Sequence, residues 1–245
     1  RPAMHRTLGL VALFGLTIGV VCLSIAWAIG GRDFRTMVAE NRFGWRSCDD
    51  DTASGPERRL TWTGGDTIEV LTPVPLKLVA GDTSEVVMRG TPDAIAHLKL
   101  RGGKVFSCGR RSTAGPIEIE LPARALRHVR IAGSGTVTLE KLSQRELGLA
   151  ISGSGDIQAQ GAVERVSADI SGSGNVRLAD VALKRLKTKI SGSGRVEAGP
   201  TDEADIHLSG AGTVKLLSRP TTLHTKVSGA GRIIQPSVES ADKKL

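Results

Sequence analysis

The side chains able to do chemistry in this chain are few and widely spread. Asp156, Asp169 and Glu197 are the carboxylates placed to act as acid and base in the second half. Polysaccharide cleavage would need such groups gathered in one groove. In the repeat register derived below they fall in different columns, each beside neutral or basic neighbours, which favours surface ion pairs. His207 and His224 could ligate zinc, but two histidines without a third ligand do not complete a site. Asp49-Asp50-Asp51 lacks the alternate spacing of a calcium loop. Cys22, Cys48 and Cys108 are too few, and wrongly spaced, for a cysteine metal site. One candidate remains, the recurrent Ser-Gly-Ser-Gly, which resembles a phosphate-cradling loop. Such loops have a helix N-terminus behind them, and no helical segment follows any copy. No catalytic residue, cofactor or metal is therefore expected.

The same motif organises the chain. Six copies start at Ile131, Ile151, Ile170, Ile190, Leu208 and Val227, spaced 20, 19, 20, 18 and 19 residues apart. Ahead of the copies run the apolar triplets Leu147/Leu149/Ile151, Val166/Ala168/Ile170, Leu186/Thr188/Ile190, Ala204/Ile206/Leu208 and Leu223/Thr225/Val227. Residues two apart face one side of a strand. A turn of about 19 residues is too short for a βαβ unit and suits one coil of a parallel β-helix. Stacking would align Gly133, Gly135, Gly153, Gly155, Gly172, Gly174, Gly192, Gly194, Gly210, Gly212, Gly229 and Gly231 at a structural corner where a β-carbon is not tolerated. It would also form outward columns: Thr138, Gln158, Arg177, Glu197 and Lys215 in one, with Lys187 beside Asp205 and Asp169 beside Lys189 in others. Opposite charges on paired strands stabilise by roughly a few tenths of a kcal/mol. The column after the corner reads Thr136, Asp156, Asn175, Arg195, Thr213 and Arg232, a poor row of metal ligands.

Residues 58–130 carry short strand signals separated by turn clusters. They are Leu60–Trp62, Thr67–Val70, Leu76–Val79, Glu85–Met88, Ala96–Leu100 and the alternating Ile117-Glu-Ile-Glu-Leu121. No segment here has a sustained helical period. Aromatic residues form 3% of the chain and none lies beyond Phe106, so the repeats must be cored by Ile, Val, Leu and Ala. The predicted domain is all-β, a right-handed single-stranded parallel β-helix over 58–245 with a β-rich N-terminal lead-in and coils from 131 to 235.

Before it, residues 1–31 read as a signal anchor, or as a signal peptide cleaved near Ala26-Trp27-Ala28. Leu8 to Ile29 is almost wholly apolar, and 22 helical residues at ~1.5 Å each would cross a ~30 Å hydrocarbon core. The expected partner of residues 8–30 is thus a membrane, with the domain in the periplasm or, after cleavage, secreted. Residues 32–57 read as a charged linker. Cys48 and Cys108 would share the exported side, where an oxidising compartment favours a disulfide; two free thiols are the alternative.

The lead-in ending in Ile117–Pro122, then Val129-Arg-Ile131-Ala-Gly-Ser-Gly135, then the serial Ser-Gly-Ser-Gly rungs resemble the bacterial putative auto-transporter adhesin, head GIN domain family. The resemblance covers roughly residues 60–236. It implies an exported parallel β-helix of the bacterial cell envelope. The expected anchor is where this chain departs from true autotransport.

The formal charge of +8 admits anionic partners. Mixed charge signs, and a repeat half without aromatics for base stacking, argue against nucleic acid. Two functions follow. The first is non-catalytic display of a ladder surface to a partner such as an acidic glycan or envelope polymer. The alternative is a self-associating scaffold, since a β-helix has an open sheet edge at each end. Residues 58–130 would cover one end, and Pro236 with the polar tail 237–245 would blunt the other, making a monomer the default.

Overall fold

The computed structural model describes residues 55–82, 84–107 and 116–237. These lie in one compact unit, Thr52–Leu245, with a contiguous hydrophobic core running from Trp62 to Leu216. A core of its own is what lets a segment fold by itself.

The lead-in strands are β1 (Glu57–Thr61), β2 (Thr67–Val70), β3 (Leu76–Gly81), β4 (Glu85–Arg89), β5 (Leu98–Arg101), β6 (Lys104–Ser107) and β7 (Ile117–Pro122). They are followed by β8 (His128–Gly133), β9 (Thr136–Gly153), β10 (Asp156–Gly172), β11 (Asn175–Gly192), β12 (Arg195–Gly210), β13 (Thr213–Leu216), β14 (Thr222–Ser228) and β15 (Arg232–Ile234). From β8 onward every pairing is parallel. The molecule is a parallel β-solenoid in which each long strand bends round the coil.

Two inward rows show how the core is built. On one side Ile117, Leu76, Val137, Ile157, Val176, Val196, Val214 and Ile233 stand on successive strands. On another, Val70, Ile131, Ile151, Ile170, Ile190, Leu208 and Val227 do the same. Period-2 alternation sends these residues inward, and the repeat then stacks like on like. Parallel stacking begins earlier than the first Ser-Gly motif: β2 already pairs parallel with β8, and β3 with β9. The lead-in end is built of antiparallel pairs, β1 on β4 on β7, and β5 on β6.

Three expectations change. Residues 96–100 are not one strand: helix α1 (Pro92–His97) precedes β5. Thr91 caps it, its hydroxyl accepting from Ala94 N at 3.3 Å, with Pro92 in the first turn. Thr91-Pro92-Asp93 is thus a helix start, the signature of a polar cap followed by proline. Strand β6 also forms where no strand was predicted. The larger correction concerns the anchor. The architecture is the solenoid with its lead-in, and among the described residues no helix is long and apolar enough to cross a membrane. Residues 8–30, on which the signal anchor, the membrane partner and the inner-membrane, periplasmic location rested, lie outside the described residues, and those assignments are withdrawn. Cys48 and Cys108 also lie outside them.

Candidate functional site

The Ser-Gly-Ser-Gly corners stack, and the stacking uses the groups that a phosphate would need. Ser154 N donates to Gly133 O, Ser173 N to Gly153 O and Ser193 N to Gly172 O, each at 2.9 Å. Asp156 N, Asn175 N and Arg195 N bond likewise to Gly135, Gly155 and Gly174. These corner N–H groups are consumed from rung to rung and face no ligand. The first glycines, Gly133, Gly153, Gly172, Gly192, Gly210 and Gly229, have φ between 110° and 126°, a region L side chains rarely adopt. The second glycines, Gly155, Gly174, Gly194 and Gly212, sit where a β-carbon would meet an isoleucine one rung below; Gly231 would meet Leu208 and Gly135 the Thr72 carbonyl.

The candidate carboxylates stay apart. Asp156 accepts from Asn175 Nδ2 at 2.6 Å, and Glu197 pairs with Lys215 at 2.7 Å. Asp169 stands beside Lys189 in register. His207 lies 3.2 Å from Asp205 and is opposite Lys226, while His224 is opposite Asp205, so the two histidines are offset by two residues. Among the described residues no group of three or more His, Cys, Asp or Glu can hold a metal.

The flanks carry both charge signs. One outward row reads Lys104, Glu69, Arg130, Ala150, Asp169, Lys189, His207 and Lys226. It borders an open trough of about 760 Å³ lined also by Ser152, Ser171 and Ser191. Arg165 reaches Glu146 at 2.6 Å across another row. In the lead-in, Lys77 lies 3.0 Å from Glu140 and 3.4 Å from Glu118, and Arg89 lies within 3.4 Å of Glu120, Glu57 and Glu118. Glu140, then Glu118, holds the Lys77 ammonium above the usual lysine range. Arg59, and after it Arg89, holds the Glu57 carboxyl below the ordinary carboxylate range.

The C-terminal end differs from all of this. β14 pairs with β12 and β15 with β13; among the described residues no strand covers their outer edges. Val227 is 46% exposed, whereas Leu208 directly beneath it is 2% exposed. Of the four large hydrophobics exposed among the described residues, Leu217, Val227 and Ile234 all belong to this end. From Ile206 to Ser237 there is no Asp or Glu, but there are Lys215, Arg219, Lys226 and Arg232. Lys215 is paired with Glu197, and Arg219 Nε donates to Pro236 O at 3.0 Å. Lys226 and Arg232 have no ion-pair partner among the described residues. Sequence reasoning placed a polar blunt here; residues 238–245 of that tail lie outside the described residues. The overlooked signal was the long acid-free stretch.

Comparison with known proteins agrees with this architecture. A crystal structure of a putative adhesin from Bacteroides fragilis is similar over 74% of this chain and 96% of that one, at 15% identity and a TM-score of 0.56. A putative lipid binding protein from Parabacteroides distasonis and a putative adhesin from Parabacteroides merdae also cover 74% of this chain, and it covers 96% and 95% of theirs. Their identities are 18% and 13%, with TM-scores of 0.46 and 0.44. No curated protein matches. With its stacked Ser-Gly rungs and β-rich lead-in, and with a family model matched over residues 92–220, the chain belongs to the family described as putative auto-transporter adhesin, head GIN domain.

Proposed function

We propose that this protein is a non-catalytic, adhesin-type scaffold that assembles with other polypeptide through the open C-terminal end of its solenoid, self-association being the simplest form. The observation that carries the reading is the last rung: among the described residues no strand covers the outer edges of β14 and β15, and Val227 and Ile234 are exposed beside them. An uncovered, apolar strand edge is a template for further strands. The opposite end finishes in the antiparallel pairs of β1 with β4 and β5 with β6, so the two ends are not equivalent.

Display of a ladder to an acidic glycan has weaker support, because the flank rows alternate in sign. No continuous cationic column runs along the row from Lys104 to Lys226, and a polyanion would meet Glu69 and Asp169 on the way.

Sedimentation equilibrium tests the reading on residues 52–245. The mass should rise with concentration, alone or with an added partner, and Val227→Lys should abolish the rise. Binding of an acidic glycan that Lys189→Ala removes, with no association at the end, would replace this reading with the flank one.

A further inference from the structure

We infer that the outer edge of β14 takes an extended strand from another polypeptide in which apolar residues alternate with Asp or Glu. This rests on the reading that the open end is the contacting surface, and it adds the chemistry of what that surface accepts.

The winding itself favours a single strand over a second blunt end. After β14 the chain turns at Gly229–Gly231 and climbs into β15, which stacks on β13 on the neighbouring side. It then continues to Pro236, whose carbonyl oxygen accepts from Arg219. The end of the solenoid is therefore a ramp, with β14 on its low step. Two such ends brought together would touch first at β15 and residues 235–237, leaving the β14 edges apart. One extended segment can lie on that step and extend the sheet by main-chain hydrogen bonds, as in recognition by strand addition.

The side chains set the character of the strand. Leu223, Thr225 and Val227 occupy the inward positions of the last rung, in register with Ala204, Ile206 and Leu208. An added strand must place apolar residues above them, at every second position. Its other residues would stand outward beside Thr222, His224, Lys226 and Ser228; Thr222 and His224 stand over Glu203 and Asp205, whereas the Lys226 column continues as His207 and Lys189. An acidic residue fits at the Lys226 column, and a basic one would be repelled there.

The chain contains its own precedent. β7 reads Ile117-Glu-Ile-Glu-Leu121, with the apolar residues buried and the glutamates outward. Glu118 meets Lys77 on β3 at 3.4 Å, and Glu120 meets Arg89 on β4 at 3.2 Å. An acidic alternating strand between cationic neighbours is thus a pairing this fold already uses.

The probe is a labelled peptide that repeats the Ile-Glu alternation of β7, with Ile-Gln and Ile-Lys versions beside it. It is titrated by fluorescence anisotropy into residues 52–245 and into the full chain. The Ile-Glu peptide should bind, and its affinity should exceed that of the Ile-Gln peptide by roughly two- to fivefold, the worth of one cross-strand charge pair at Lys226. Lys226→Glu should reverse the preference in favour of the Ile-Lys peptide, a gain that an unfolded variant cannot produce. Hydrogen exchange should slow at β14 amides and leave β10 unchanged.

Equal binding of all three peptides, or binding without β14 protection, would overturn the inference. So would binding seen only after truncation at Ser237, because the chain's own tail would then occupy the edge. Concentration-dependent self-association that the Ile-Glu peptide does not compete would also overturn it, yet would leave the proposed function standing. A strictly monomeric protein that binds none of the peptides would remove both.

Discussion

The carbonyl oxygen of Gly192 lies 2.6 Å from the point where a β-carbon on Gly210 would stand. The two residues are paired in register on adjacent rungs, and Gly210 has φ +116°. The corner therefore excludes a side chain twice, by backbone conformation and by contact with the rung before. Gly133, with φ +111°, has nothing within 4 Å of its β-carbon position. Gly133→Ala should cost only the conformational strain, about 1–2 kcal/mol. Gly210→Ala should cost a further 1–3 kcal/mol or so, because the neighbouring rung must move. Urea unfolding midpoints of the two variants test the difference; equal shifts would show that the stacking contact contributes nothing.

Thr188 is an inward residue whose hydroxyl is fully buried without a hydrogen-bond partner among the described residues. It stands in register between Ala168 and Ile206, both apolar. Replacing the hydroxyl by a methyl of similar size removes an unpaired buried polar group. Thr188→Val should raise stability by about 1–2 kcal/mol. A lower unfolding midpoint would mean that the hydroxyl is satisfied in solution.

The ion-pair row of the lead-in predicts opposite behaviour at the two pH limits. Glu57 is held below the ordinary carboxylate range by Arg59 first and Arg89 next, so its contribution is present above its unfolded pKa. That contribution is lost as pH falls through the depressed folded value. Lys77 is held high by Glu140 first, so its contribution is present below its unfolded pKa and lost as pH rises through the raised folded value. Arg89→Met should flatten the acid limb of the stability profile as pH falls below the ordinary carboxylate value of 4.5. Lys77→Met should flatten the alkaline limb and leave the acid limb steeper than in Arg89→Met. Thermal melts across pH give both slopes.

Leu208 and Val227 occupy the same inward row, one rung apart, yet only the first is covered. Leu208→Ala should cost about 2–5 kcal/mol, as for a buried leucine. Val227→Ala should cost well under about 1 kcal/mol in the unassembled protein, since half of the side chain is already in water. If Val227→Ala proved as damaging as Leu208→Ala in isolated protein, the last rung would be covered by protein beyond the described residues.

The rung was legible in the amino-acid order because its period converts directly into position. Once Ile151, Ile170 and Ile190 stack, the pairing of Arg177 with Glu197 and of Lys187 with Asp205 follows without further information. The charge rows and the glycine corner are in that sense local facts repeated. α1 was not legible by periodicity, since six residues make too short a pattern, although Thr91-Pro92 carried its start. The antiparallel pairing of β1 and β4 depends on contacts between distant segments whose local alternation is equally compatible with parallel pairing. Whether an inward residue is buried is decided by the presence of the next rung, so Val227 and Leu208 look alike as letters and differ only in the folded stack. The orphaned hydroxyl of Thr188 and the exposed edge of β14 belong to the same category, because each is defined by what lies, or does not lie, against it in three dimensions.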